Sequence, residues 1–330
     1  MQRTRERHVI FGAGSVGSAA ARILSEAGHQ VRAVSRSGGG PAEAGVERVA
    51  ADAADIETVR RLSEGATAIY NCMNPAYTRW ARDWPPLADA LLAAAQSSGA
   101  VLATVSNLYP YGLVDGPMSE ATPEHPRDVK AQVRATMWAR AKAAHDAGRI
   151  QAVEVRGSDY ADAGVNSHLS RNTAAVMAGR TVWVVGSADR SHSWTATADV
   201  ARLLVLAAAD PTAHGRTWLV PSAPPRTQRE ALADLATAAR ARPPRVHVLT
   251  PAMIRAVGVF SPSMRELSTV AYQFSNDFRI DDSAARAHFG MKPQPWADTI
   301  AGILDQARGC PVSPPLATDA TAKTSGSDAR

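Results

Sequence analysis

The chain reads as an α/β protein, a doubly wound parallel sheet that carries a smaller C-terminal lobe. Three observations predict this class. Short β-rich runs alternate with helical segments through the first half, a glycine-rich turn joins the first strand to the first helix, and 330 residues with 45% hydrophobic content can bury a sizeable core. Parallel strands joined in this way need right-handed crossovers, so helices cover both faces of the sheet.

The run HVIFGA (8–13) is the first strand, and small and apolar residues at helical spacing from Ser15 to Ala27 form the first helix, ended by Gly28. QVRAVSR (30–36) and VERVAAD (46–52) are the next strands; a helix over Ile56 to Ser63 and the strand ATAIYNC (66–72) follow. A helix over Leu87 to Ser98 leads to the fifth strand, AVLATVS (100–106). Beyond a Pro- and Gly-rich loop (107–128), a helix over Val129 to Ala147 precedes the sixth strand, IQAVEVR (150–156). The remainder is less regular. TVWVVG (181–186), RTWLVP (216–221) and RVHVLT (245–250) read as strands, Asp199 to Ala209 and Gln228 to Arg240 as helices. The expected division is a core over 1–160, a lobe over 161–309 that packs on the core, closes a pocket and can share late strands with it, and a tail over 310–330. The tail is small, polar and rich in Pro, Ser and Thr, with too little apolar surface to offset its ordering entropy, so disorder is expected.

Charge and cysteine usage narrow the function classes. Lys+Arg 36 against Asp+Glu 31 gives a formal +5, with the basic residues scattered; the densest cluster, Arg3, Arg5 and Arg7, sits at a terminus. No nucleic-acid partner is expected from that pattern. Cys72 and Cys310 belong to no metal-ligand or C-x-x-C spacing, so neither a metal site nor a disulfide framework is expected. The N-terminal stretch lacks an apolar leader core and nowhere do eighteen apolar residues run together, which predicts a cytoplasmic protein without a membrane partner.

Gly12-Ala13-Gly14-Ser15-Val16-Gly17 is G-x-G-x-x-G with a strand before it and a helix after it. Gly12 permits the tight turn, Gly14 lets backbone approach a pyrophosphate, and Gly17 lets the helix pack on the strand, with the phosphates at the helix N-terminus. A dinucleotide site is therefore expected, formed by Gly12, Gly14, Ser15, Val16 and Gly17. The second strand ends Val34-Ser35-Arg36-Ser37. It offers no carboxylate for a ribose 2′-hydroxyl, whereas Arg36 can pair with a 2′-phosphate, so NADP is expected over NAD; an exposed loop arginine is the plainer alternative. Asp52 stands where it could bond the adenine amino group or cap the next helix.

With this fingerprint at the N-terminus, AIYNCMNP after the fourth strand, SNLYPYG after the fifth and VRGSDYADAG after the sixth, the chain resembles the extended or atypical short-chain dehydrogenase/reductases, the NAD(P)-dependent epimerase/dehydratase-like proteins with a Rossmann fold. The resemblance covers about residues 8 to 308. It implies that Asn71, Cys72 and Met73 lie against the cofactor, that Ser106 polarises the substrate oxygen, and that Tyr111-Gly112 matches the family's YG. It also implies a Tyr-x-x-x-Lys dyad at the start of the following helix, where this chain has Lys130 and Arg134 instead. Arg134 can hold ribose hydroxyls but cannot shuttle protons. The expected proton donors are Tyr109, then Lys130 with a depressed pKa, then Tyr111. Homodimers are common in the family.

Weaker candidates remain. Tyr77, Trp80 and Trp84 form an aromatic stripe that reads as core or as a lid over a substrate; His192 reads as a surface histidine, and Asp199 as a helix cap. The leading functional expectation is an NADP(H)-dependent oxidoreductase that transfers hydride to or from a small organic carbonyl or hydroxyl substrate. The alternatives are a non-catalytic NADP(H) sensor, which would tolerate the missing dyad, and a sugar-nucleotide epimerase or dehydratase. Against the last, the lobe shows no clear basic cluster for a diphosphate beyond Arg255, Arg265 and Arg279.

Overall fold

A computed structural model of the protein describes residues 5–258, 266 and 268–309. Arg3, Arg265, Cys310, the side chain of Arg255 and the tail at 310–330 lie outside the described residues. The strands are β1 (Arg7–Phe11), β2 (Gln30–Ser35), β3 (Val46–Ala50), β4 (Ala68–Asn71), β5 (Val101–Asn107), β6 (Gln151–Gly157), β7 (Asp159–Tyr160), β8 (Val182–Val185), β9 (Trp194–Thr195), β10 (Thr217–Leu219) and β11 (Val246–Leu249). Seven of them make one sheet in the order β10-β6-β5-β4-β1-β2-β3, with every pairing parallel.

Alternation along the central strands explains the two buried faces. Ile10 and Tyr70 point to the side covered by α1 (Ser15–Glu26) and α6 (Thr197–Ala209), whereas Val9, Phe11 and Ile69 point to the side covered by α2 (Ile56–Leu62), α3 (Trp80–Ser98) and α4 (Val129–Asp146). Continuous apolar runs such as HVIF are what a strand buried on both faces requires.

The three late runs read as strands from the sequence are strands, and they divide between two sheets. The strand expected at 216–221 is β10, which joins the main sheet beside β6, while those expected at 181–186 and 245–250 pair only with each other, as β8 and β11. This small sheet packs with α5 (Thr173–Met177), α7 (Gln228–Ala238) and the last described helix, Trp296–Gly309, around Leu169, Val184, Leu232 and Ile303. The third helix starts at Trp80, not Leu87, and carries Pro85 and Pro86 inside it. Those prolines withhold N–H donors from the carbonyls of Ala81 and Arg82, both exposed residues that water can satisfy, so the helix survives them. Among the described residues, no helix is long and apolar enough to cross a membrane.

Candidate functional site

All seven strands are parallel, so their C-terminal ends open on one edge of the sheet, and the order reverses between β1 and β4. A cleft of about 1160 Å³ lies there, at the switch point where open α/β sheets bind ligands. Gly12, with φ 101°, turns the chain beneath it; a Cβ on Gly12 would sit 2.5 Å from the Cys72 carbonyl, and one on Gly17 would sit 1.9 Å from the Gly12 carbonyl oxygen. Gly14 is different, since a Cβ there meets nothing within 4 Å. It occupies the N-cap of α1 without a side-chain cap, and the cleft wall includes Gly12, Gly14, Ser15 and Val16. Unspent N–H groups and the helix dipole at this point favour an anion.

Arg36, Asp52, Cys72 and Met73 continue the wall. Asp52 does not cap α2: its Oδ1 accepts from Ala54 N at 2.9 Å, and the cap is Asp55, which accepts from Glu57 N and Thr58 N. Burial pushes the Cys72 thiol up to about 12, so it stays protonated. Gly17 and Asn71 stand behind the wall; Asn71 is buried, and its Oδ1 accepts from Met73 N at 3.3 Å, shaping the loop that does line the cleft. Besides Arg36, two more arginines line the cleft at the start of α3: Arg79 Nε lies 3.2 Å and Arg82 Nε 2.7 Å from the Asp83 carboxylate. The Arg82 hydrogen bond, with the charges of Arg79, Arg82 and Arg36, holds that carboxyl below its ordinary range.

The other end of the cleft brings together Ser106, Tyr77, Tyr109, Asp159 and His168. Ser106 is buried, and its Oγ has no hydrogen-bond partner within the protein. The Tyr109 and Tyr77 hydroxyls lie 2.9 Å apart. Burial pushes both phenols above their ordinary range, so they stay protonated and able to donate. His192 Nε2 donates to Asp159 Oδ2 at 2.9 Å, while its ring stacks on Phe274 at 4.6 Å and on Phe278 at 5.4 Å. Burial pushes the Asp159 carboxyl up, but the hydrogen bond from His192 and the neighbouring positive charges, Arg171 among them, outweigh it and leave it below the usual carboxylate range. Burial lowers His168 to about 4, so its imidazole is neutral at physiological pH.

Several expected site residues stand elsewhere. Lys130 is absent from the cleft wall; its buried ammonium pairs with Glu266, reaches Thr269 Oγ1 at 3.4 Å and lies 4.6 Å from the Tyr77 ring centre, so it backs the phenol and does not face the cleft. Tyr111 is 1% exposed and its ring lies under the Arg156 guanidinium at 4.8 Å. The tight turn Tyr109–Tyr111, closed by Gly112 with φ 68°, sends Tyr109 to the cleft and Tyr111 to the interior. Arg134 does reach the cleft: its Nη1 donates to the Val105 carbonyl at 3.2 Å and its guanidinium lies 4.7 and 4.3 Å from the rings of Trp80 and Trp84. The aromatic stripe therefore divides, with Tyr77 and Trp80 on the cleft wall and Trp84 buried behind them, both tryptophans packed against Arg134.

His192 is not a surface residue; it is 1% exposed. Asp199 is not a cap. It lies in the first turn of α6, is 1% exposed, and accepts from Arg202 and from Gln294 N, while Thr197 N–H is capped from a distance by Asp162 at 2.9 Å. The sequence reading quoted VRGSDYADAG but passed over Asp159 within it. The signal was available, because a carboxylate two residues beyond the C-terminal end of a parallel strand lies on the edge of the sheet where ligands bind.

Solved structures share this fold. It superposes on dTDP-glucose 4,6-dehydratase DesIV (double mutant) of Streptomyces venezuelae, solved with NAD, at TM-score 0.74 and 19% identity, covering 92% of this chain and 97% of that one. For dTDP-glucose 4,6-dehydratase of Bacillus anthracis, in complex with NAD, the TM-score is 0.75 at 12% identity, over 92% and 98% of the two chains. For UDP-glucose 4-epimerase of Thermotoga maritima, solved with UDP-glucose, it is 0.72 at 15% identity, over 91% and 99%. A comparison with curated protein sequences finds no match. Residues 9–220 match the model of the NAD dependent epimerase/dehydratase family, a match that spans most of the chain and runs from within β1 through β10, with the whole glycine turn. The protein is thus an enzyme with a nicotinamide-dinucleotide site and belongs to the NAD dependent epimerase/dehydratase family.

Proposed function

We propose that the protein is an NADP(H)-dependent enzyme of the epimerase/dehydratase type that takes hydride from a hydroxyl-bearing carbon of a sugar nucleotide and returns it in the same active site. The observation that carries this reading is the presence of a base and an acid on one wall: an ionised Asp159 held by His192, and a protonated Tyr109 paired with Tyr77. Oxidation of an alcohol releases a proton together with the hydride. Asp159 accepts that proton, while Ser106 and Tyr109 donate hydrogen bonds to the oxygen as it becomes a carbonyl; on return the protons run backwards. When bound, the nicotinamide supplies a reversible two-electron hydride acceptor.

The missing Tyr-x-x-x-Lys dyad is thereby replaced from other elements. Arg134 keeps the place of a ribose-binding cation, and Arg171, whose Nε donates to the Ser167 carbonyl at 2.8 Å, leaves the rest of its guanidinium for an anionic group such as a diphosphate. The dehydratase and epimerase neighbours support that substrate class. Their bound cofactor is NAD, but here Arg36 directly follows β2, with no carboxylate at the strand's end, and Arg79 and Arg82 also line the cleft, which favours a 2′-phosphate.

A second reading, reduction of a small carbonyl compound, is favoured by the aromatic wall of Tyr77, Phe274 and Phe278. One experiment separates them. Purified protein with added NADP⁺ or NAD⁺ is incubated with UDP- and dTDP-hexoses and followed by NMR, beside an NADPH oxidation assay on aldehydes and ketones. Conversion of a sugar nucleotide without net cofactor consumption is the expected result; stoichiometric NADPH oxidation by a simple carbonyl, with every sugar nucleotide unchanged, replaces it with the second reading.

A further inference from the structure

At the end of the strands opposite the cleft, β1 begins beside the turn that joins α1 to β2. Glu6 and His8 come from the start of that strand, and His29 follows Gly28, whose φ of 88° turns the chain out of the helix. Parallel pairing of Arg7 with Gln30 and of His8 with Val31 fixes the two segments against each other. We propose that Glu6, His8 and His29 form a site for a divalent transition-metal ion of the zinc class, with a water completing a tetrahedron.

Three observations support it. One ligand atom from each residue lies within 4.8 Å of the other two, and the His8 and His29 rings meet edge to face with centroids 4.8 Å apart. His8 is only 5% exposed, yet its Nε2 makes no hydrogen bond, although Glu6 Oε2 lies 3.5 Å away; His29 Nδ1 is likewise buried without a partner. Two buried imidazole nitrogens without partners beside a carboxylate are costly by themselves, and a cation among them satisfies all three. Finally, the Tyr70 hydroxyl lies 3.2 Å from His8 Nδ1. A Nδ1–H that donates to this phenol leaves the Nε2 lone pair free and aims the ring, the arrangement that orients metal-bound histidines.

Two imidazoles and one carboxylate suit zinc and its neighbours, whereas magnesium and calcium call for oxygen ligands. Because the site lies at the N-terminal ends of β1 and β2, its role is to fasten the start of β1 to the α1–β2 turn; it takes no part in the cleft's chemistry and does not depend on the substrate reading.

The test uses full-length, tag-free protein stripped with a chelator and titrated with Zn²⁺ against a chromogenic zinc indicator. One equivalent bound per chain, with a rise in Tm, is expected, since a ligand selective for the native state stabilises it. Glu6→Gln and His29→Gln, at the less buried positions, keep the fold and should each weaken Zn²⁺ by about 100-fold or more, and Tyr70→Phe by about 10-fold. His8→Gln lies inside the strand and is not relied on. Absence of stoichiometric uptake, or uptake that Glu6→Gln and His29→Gln leave unchanged, overturns the proposal; NADPH titration of the same samples reports separately on the cleft.

Discussion

Asp159 opens the two-residue strand β7, His192 stands two residues before its partner strand β9, and they meet at 2.9 Å with the imidazole stacked on Phe274 and Phe278. The stacking holds the plane of the ring and the hydrogen bond holds its edge, so the carboxylate stands at the cleft wall with one oxygen engaged. Under the proposed function, this pair is what supplies a positioned base where α4 carries Lys130 and Arg134.

Asp159→Asn should therefore lower turnover by about 10²–10⁴-fold while dinucleotide affinity is kept. The pH dependence follows from the sign of the shift. The folded carboxyl titrates below its unfolded value, so base activity is full above the ordinary carboxylate range and is lost only as pH falls through the depressed pKa. His192→Asn removes the hydrogen bond that opposes burial, and the acidic limb of the pH–rate profile should move upward; an unmoved limb separates His192 from the base.

Tyr109→Phe removes one hydroxyl of the 2.9 Å phenol pair. Turnover should fall by about 10²–10⁴-fold with NADPH binding unchanged. Lys130→Met should cost far less in rate but lower Tm, because it breaks the buried pair with Glu266 that backs Tyr77. Steady-state kinetics beside thermal melts distinguish the two, and the reverse order would return the proton to the lysine.

Arg36→Ala should weaken NADPH by about 1.5–3 kcal/mol and leave NADH nearly unchanged. Asp83→Asn acts the other way, since it removes a carboxylate that sits among Arg36, Arg79 and Arg82. Fluorescence titration of both cofactors reads both effects; equal losses for NADPH and NADH in Arg36→Ala would remove it from the phosphate site.

The glycines of the turn should separate folding from binding. Gly14→Ala adds a Cβ into open space, so Tm should hold while dinucleotide affinity falls by roughly tenfold or more, about 1.4 kcal/mol. Gly17→Ala drives a Cβ into the Gly12 carbonyl and should cost about 1–3 kcal/mol or more of stability. Calorimetry and titration on the two variants make the comparison.

The sheet through β6 was legible because HVIF, AIYN and their neighbours are apolar runs of strand length between helical segments, and the glycine turn was legible because its spacing is dictated by backbone approach. The proton-transfer end was only half legible. Tyr109 and Ser106 stand near a strand end in the sequence, so local reasoning reaches them. Lys130 was misplaced because counting along a helix gives a position but not the partner, Glu266, that draws its ammonium away. His192 looked exposed because SHSW is polar locally, and its burial depends on Phe274 and Phe278, some eighty residues later. Contacts of that range leave no periodic trace.

β10 bears on how the polypeptide is made. During synthesis β6 emerges with one edge unpaired, and the strand that covers it, Thr217–Leu219, follows only after β8, β9 and α6 have left the ribosome. A chain cut after residue 160 would expose that edge, together with the apolar side of α1 that α6 covers. Such a fragment should aggregate where the whole chain does not. Cofactor half and lobe are in this sense expected to fold as one unit, complete only once Leu219 has paired with β6.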